Sequence, residues 1–193
     1  MIPSETISAL LASFTLIGLA EIGDKSQIVC MALASRHRHW PVLFGAATAF
    51  VLLNTLAVTF GAGVAAWVPE RATAAIVALL FGAFGIHALL ARHGDEPEEV
   101  MELPGRSVFL TTLSLIFLAE FGDKTQLAVA GLASNVAILP VWIGATTALI
   151  VVSALGVWLG RTLLQRLPTV WLHRSSGAIF LLFAVIAGWR AVI

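Results

Sequence analysis

The sequence predicts an all-α polytopic membrane protein, with six transmembrane helices arranged as two inverted three-helix repeats. Three observations predict it. Of 193 residues, 59% are hydrophobic and 11% charged, against about 25% charged in an ordinary soluble domain. The apolar residues fall in stretches about as long as a bilayer-spanning helix, roughly 20 residues. The chain also repeats one motif on either side of a polar centre.

The spans follow from the breaks. Polar or proline-containing interruptions at 36–41, 69–71, 92–106, 134–140 and 161–174 leave apolar segments at 7–34, 42–68, 72–91, 108–133, 141–159 and 175–192. The N-terminus lacks the positive region of a secretory signal, so the first segment is expected to be retained. Trp40, Trp67, Trp142, Trp158, Trp171 and Trp189 all lie near segment ends, where an amphipathic indole fits the headgroup region. The stretch 93–105 carries five acidic residues and two prolines. It reads as a solvated linker between a first repeat, 1–92, and a second, 106–193.

The repeat is specific. Glu21-Ile-Gly-Asp-Lys-Ser-Gln27 matches Glu120-Phe-Gly-Asp-Lys-Thr-Gln126 at an offset of 99, and eight of the 15 positions from Glu21 to Ser35 are identical at that offset. The register continues through Pro41 with Pro140, Gly45 with Gly144, Asn54 with Ser153 and Gly61 with Gly160. Three spans per half is an odd number, so the second half enters the membrane from the opposite side, as in many secondary transporters. Arginine placement then sets orientation. With the N-terminus outside, inner loops hold Arg36, Arg38, Arg92, Arg106, Arg161, Arg166 and Arg174, while outer regions hold Arg71 and Arg190. Seven against two places both termini outside and the linker in the cytoplasm.

Every charge well inside an apolar segment belongs to the motif, including both lysines of the chain, Lys25 and Lys124. Ionised groups in hydrocarbon cost at least about 2.5 kcal/mol each on insertion scales, so six of them need pairing and a purpose. On a continuous helix, at about 100° per residue, Glu21, Asp24 and Lys25 share a face that Gln27 extends, as do Glu120, Asp123, Lys124 and Gln126. Gly23 and Gly122 lie within the acidic turn, where the helix can bend, and an unwound turn would add free carbonyls. Ser26 and Thr125 add hydroxyls beside it.

Two such faces meeting offer an all-oxygen set from Glu21, Asp24, Gln27, Glu120, Asp123 and Gln126, which suits hard cations such as Ca²⁺, Mg²⁺ and Mn²⁺. Zn²⁺ or Cu⁺ would recruit His or Cys, absent from the motif. Ion pairs that only lock the bundle are the alternative, but two inverted six-charge copies are a costly lock. Asn54 and Ser153, and equally Thr48 and Thr147, are candidates for hydrogen bonds behind the ligands or for helix packing. His87 has no counterpart in the other half and reads as an interhelical histidine before a proton relay. His37 and His39 belong to a basic interfacial loop, and Cys30 is a small apolar filler that excludes an internal disulfide.

The duplicated Glu-x-Gly-Asp-Lys-(Ser/Thr) motif in a six-span chain resembles the cation/proton antiporter family of human transmembrane protein 165, its Golgi relatives and the bacterial manganese exporters. The chain resembles the compact bacterial members of that family. The resemblance covers nearly the whole chain and both motifs match. It implies Mn²⁺ export from the cytoplasm, or Ca²⁺ exchange, coupled to protons, in a bacterial inner membrane. It carries over to Glu21, Gly23, Asp24, Lys25 and Ser26, and to Glu120, Gly122, Asp123, Lys124 and Thr125.

Other function classes fit less well. A divalent cation channel would ring a pore with acids, but the lysines oppose cation flow. An enzyme would need a nucleophile paired with a base, and none stands outside the motif. No cofactor is expected, the metal and protons being cargo. Zero net charge leaves no basic face for nucleic acid. Lipid is the surrounding partner, and a homo-oligomer is compatible with the sequence. Four carboxylates and two lysines give an ionised site of charge −2, which one divalent cation or two protons would neutralise. Exchange of one M²⁺ for about two H⁺ without net charge movement follows, because carrying a net charge through a low-dielectric barrier is costly.

Overall fold

The computed structural model describes residues 4–90, 107–164 and 169–192. The expected acidic linker, Arg92, Arg106 and Arg166 lie outside them. Among the described residues the chain is all-helical: α1 Ser4–Glu21, α2 Lys25–Arg36, α3 His39–Trp67, α4 Glu70–Leu90, α5 Val108–Glu120, α6 Lys124–Ala133, α7 Ile138–Leu164 and α8 Thr169–Val192.

The expected segments 7–34 and 108–133 are each two helices rather than one. The break falls at the motif glycine in both: Gly23 has φ +84° and Gly122 φ +80°. That left-handed conformation suits glycine and cannot propagate a right-handed helix. Across the first break α1 and α2 are bent by 67°. By length and apolar composition α3 and the 138–158 part of α7 can each cross a membrane, and the bent α1–α2 pair makes a third candidate span. Arg71–Ile86, Val108–Glu120 and Phe180–Val192 are shorter apolar stretches. The expected polar break at 161–174 is narrower than its composition suggested. Helix α7 continues through Arg161 to Leu164 and α8 resumes at Thr169.

Packing joins the two halves rather than each half to itself. Helix α1 packs on α7, α5 on α3, α3 on α7, and α4 on α8. Small residues permit this. Ala46, Ala49, Ala145 and Ala148 are fully buried on α3 and α7, so these helices present small side chains to their neighbours, Ala148 to Gly18 of α1, as lipid-embedded helices do. A Cβ added at Gly45 would stand 2.6 Å from the Phe109 carbonyl oxygen and 2.9 Å from Thr112 Cβ, on α5; Gly144 is pressed in the same way on Leu10 and Ser13 of α1. Each of these residues has its counterpart 99 positions away. Between α4 and α8, Phe81 meets Phe180 and Phe183 at centroid distances of 5.8 and 6.1 Å, and Phe84 meets Phe180 at 6.0 Å. The offset of 99 between Phe81 and Phe180, and between Phe84 and Phe183, extends the register into the third segments. Trp40, Trp67, Trp158 and Trp189 are exposed near helix ends; Trp142 donates from Nε1 to Thr55 Oγ1 at 3.1 Å.

Candidate functional site

The helix breaks place the motif at four helix ends. Glu21 closes α1 and Lys25 opens α2; Glu120 closes α5 and Lys124 opens α6. Asp24 and Asp123 lie in the breaks, their amides bonded to the Glu21 and Glu120 carbonyls at 3.1 and 3.2 Å. The continuous helical face expected for Glu21, Asp24, Lys25 and Gln27 is therefore replaced by two short turns. Asp123 is the N-cap of α6, with φ −72° and ψ 168°, but its side chain makes no capping bond. An N-cap carboxylate normally caps the first turn; here the Asp123 oxygens are not used on the α6 amides.

Glu21, Asp24 and Asp123 each bring one carboxylate oxygen within 4.8 Å of the others. Two of these residues come from one half and the third from the other. Glu21 is fully buried and Glu120 nearly so. Glu120 is not in that trio, though it is close enough to act electrostatically on Glu21. Oxygens on opposite sides of one Ca²⁺ stand about 4.6–5.2 Å apart, given metal–oxygen distances of 2.3–2.6 Å, and those around a smaller ion stand closer. Three oxygens inside 4.8 Å are close enough for a single hard cation to reach them all.

The remaining motif groups bond both within and across the halves. Thr125 donates its hydroxyl to Glu21 Oε1, and Ser26 donates to Glu21 Oε2 at 3.3 Å. Both hydroxyls are buried, so the Glu21 carboxylate is held in place by one residue of each half. Lys124 Nζ lies 2.5 Å from Asp24 Oδ2, pairing the second half's cation with the first half's acid. The Lys25 side chain lies outside the described residues.

Gln27 and Gln126, expected to extend the oxygen set, direct their amides elsewhere. Gly23 N–H donates to Gln27 Oε1 at 2.7 Å and Gly122 N–H to Gln126 Oε1 at 2.6 Å. Gln27 Nε2 then donates to the Val152 carbonyl of α7 at 3.0 Å, and Gln126 Nε2 to the Leu53 carbonyl of α3 at 3.4 Å.

The candidates behind the ligands divide. Asn54 and Ser153 are both buried, but Asn54 Nδ2 donates to Thr146 Oγ1 at 3.0 Å and Ser153 bonds Cys30. Thr147 is exposed and Thr48 half-buried, and the Thr48 hydroxyl returns to the Phe44 carbonyl of its own helix at 2.8 Å. Thr147 thus faces outward from α7, and Thr48 spends its hydroxyl on its own helix. Thr146, one residue away, is the buried partner that sequence reasoning missed, because position 47 of the first half is Ala and the register gave no signal. The His87 side chain lies outside the described residues.

Comparison with known proteins places this geometry. Residues 9–96 and 108–192 match the family described as "Divalent cation/proton antiporter GDT1". The chain is 30% identical over 202 residues to "GDT1-like protein 3" of Arabidopsis thaliana, covering 92% of this chain and 69% of the relative. It is 28% identical over 187 residues to a protein of Vibrio cholerae named "Putative manganese exporter", covering 95% of this chain and 92% of that one. "GDT1-like protein 5" of Arabidopsis thaliana is 26% identical over 219 residues, with 93% and 96% covered. No solved structure matches. Members of such a family are membrane transporters and not enzymes, and the ions they exchange are cargo rather than cofactors. By the match of the family across both halves, this chain belongs to the GDT1 divalent cation/proton antiporters.

Proposed function

We propose that the chain exports Mn²⁺ from the cytoplasm in exchange for protons, using one site to which both motifs contribute. The observation that carries this reading is the convergence of Glu21, Asp24 and Asp123 oxygens within 4.8 Å, an all-oxygen bite drawn from both halves. Glu120 completes the acidic set. Manganese rather than calcium is supported by the name of the Vibrio cholerae relative; Ca²⁺ exchange through the same oxygens is the alternative. The six segments form two inverted repeats, 1–92 and 106–193, about the linker 93–105. The arginine distribution supports both termini outside in a bacterial inner membrane.

In this reading the site alternates between a metal-loaded and a doubly protonated form, both neutral with Lys25 and Lys124 charged. A channel is disfavoured because Lys124 sits on Asp24 inside the acidic cluster, where a fixed cation would oppose continuous flow. The test is flux into proteoliposomes, comparing Mn²⁺, Ca²⁺, Mg²⁺ and Zn²⁺ under an imposed pH gradient. Saturable, proton-driven Mn²⁺ movement is expected; unsaturable flux indifferent to the pH gradient would sink the exchanger. A cysteine introduced at Glu99 should react only from the cytoplasmic side.

A further inference from the structure

The two motif glutamines make four bonds of one design. In each half the amide oxygen accepts the N–H of the motif glycine, at 2.7 Å for Gln27 and 2.6 Å for Gln126. In each half the amide nitrogen then crosses to a carbonyl of the other half's long helix, Val152 on α7 or Leu53 on α3. Those two carbonyls are themselves 99 positions apart. A glutamine amide offers one oxygen and two N–H donors, so this use ties the helix break to the opposite scaffold.

The two ties are unequal. Gln27 is 1% exposed and its crossing bond is 3.0 Å long. Gln126 is half-buried, its crossing bond is 3.4 Å, and a Cβ on the neighbouring Gly122 would meet nothing within 4 Å. The sequence contains a cause. Gly156 makes room for Gln27, since a Cβ there would stand 2.8 Å from Gln27 Cγ, whereas the position 99 residues earlier is Ala57.

We infer that Gln27 and Gln126 are positioning residues rather than metal ligands, a pair of latches of which one is seated while the other is slack, and that the two access states of the protein exchange these roles. The inference rests on the alternating exchange proposed above. Rocking of one half against the other around a fixed site must lengthen one crossing bond, and because the two ties are equivalent at an offset of 99, the state that slackens Gln27 is the one that seats Gln126. Gly156 biases the resting protein towards the seated Gln27.

The test is amide hydrogen exchange of the purified full chain in nanodiscs, without metal, followed separately over 22–27 and 121–126. Gln27→Met, close in volume but unable to make either bond, should raise exchange at 22–27 and lower it at 121–126. Gln126→Met should do the reverse. Each shift is expected to be about 5-fold, the factor that one net hydrogen bond contributes. Gly156→Ala leaves both glutamines intact and should reproduce the Gln27→Met pattern, which guards against a variant that is merely misfolded. A reciprocal response supports the latches; a change confined to the mutated break, or a rise at both breaks, overturns them. Mn²⁺ binding supplies the second readout. Turnover should fall with affinity retained, whereas a loss of affinity equal to the loss of turnover would make the glutamines ligands. The exchange measurement needs no metal, so a wild-type chain that carries no Mn²⁺ would end the proposed function and leave this inference to be decided on its own.

Discussion

Gly144→Ala should change which ion the site prefers, through a contact remote in sequence from the carboxylates. A Cβ at this position of α7 would stand 2.5 Å from the Leu10 carbonyl oxygen and 3.1 Å from the Phe14 amide nitrogen, both backbone atoms of α1. Ordinary van der Waals contact begins near 3.4 Å, so α1 and α7 must part by about 1 Å, a strain of roughly 1–3 kcal/mol for an overpacked interior. Helix α1 ends at Glu21, so the displacement is transmitted to a carboxylate of the trio. Oxygens that lie within 4.8 Å of one another are then drawn apart by up to about 1 Å, which a smaller ion with shorter metal–oxygen distances tolerates less than Ca²⁺. Expected is a loss of Mn²⁺ affinity of about 5–150-fold, the same 1–3 kcal/mol expressed as binding, with Ca²⁺ losing less because its longer bonds tolerate a wider bite. Titration calorimetry of the purified variant with each ion measures both. Gly63→Ala is the control, since a Cβ there meets nothing within 4 Å. Unchanged Mn²⁺ affinity in Gly144→Ala, or equal losses for the two ions, would refute the transmission of helix spacing to the site.

Replacing Glu21, Asp24, Glu120 or Asp123 singly by its amide should weaken Mn²⁺ binding in every case, by about 2–5 kcal/mol as for truncated buried charge pairs; wild-type flux after neutralising both acids of one motif would refute a shared site. Gly122→Ala puts a side chain at φ +80° in open space, so only backbone strain of about 1–2 kcal/mol acts. Its thermal midpoint in detergent should fall, and Gly122→Asn, which tolerates that conformation better, should fall less. In proteoliposomes at fixed pH gradient, clamping the membrane potential at different values should leave the equilibrium Mn²⁺ gradient nearly unchanged; a steep dependence would sink neutral exchange.

The acidic motif was legible because its charges stand out against an apolar background, and the offset of 99 brought its two copies together before any coordinates did. The glycine inside each motif carried the helix break, yet a helical wheel drawn through Glu21–Gln27 misplaced the side chains, since a single residue at positive φ resets the phase of everything after it. The hydrogen bonds of the glutamines were not legible. Composition presents an amide oxygen as a possible ligand, and only tertiary placement shows Gly23 and Val152 taking up the two ends of Gln27. Thr48 and Thr147 show a related point. Register pairs them, yet Thr48 is half-buried and Thr147 exposed, so register equivalence alone does not say which way a side chain faces.

The crossing of partners between halves bears on how the protein is made. Synthesis proceeds from the N-terminus, so α1 to α4 are laid down while Thr125 and Lys124 are still untranslated. Glu21 then lacks a hydroxyl that later holds it, and Asp24 lacks the ammonium that later faces it. An acidic turn without these partners is a poor tenant of hydrocarbon. The nascent first half must keep that turn near water, or near the insertion machinery, until α5 and α6 arrive. The site is therefore complete only once α5 and α6 have joined α1 and α2, and a chain truncated after α4 is expected to be degraded rather than to act as a half-strength transporter.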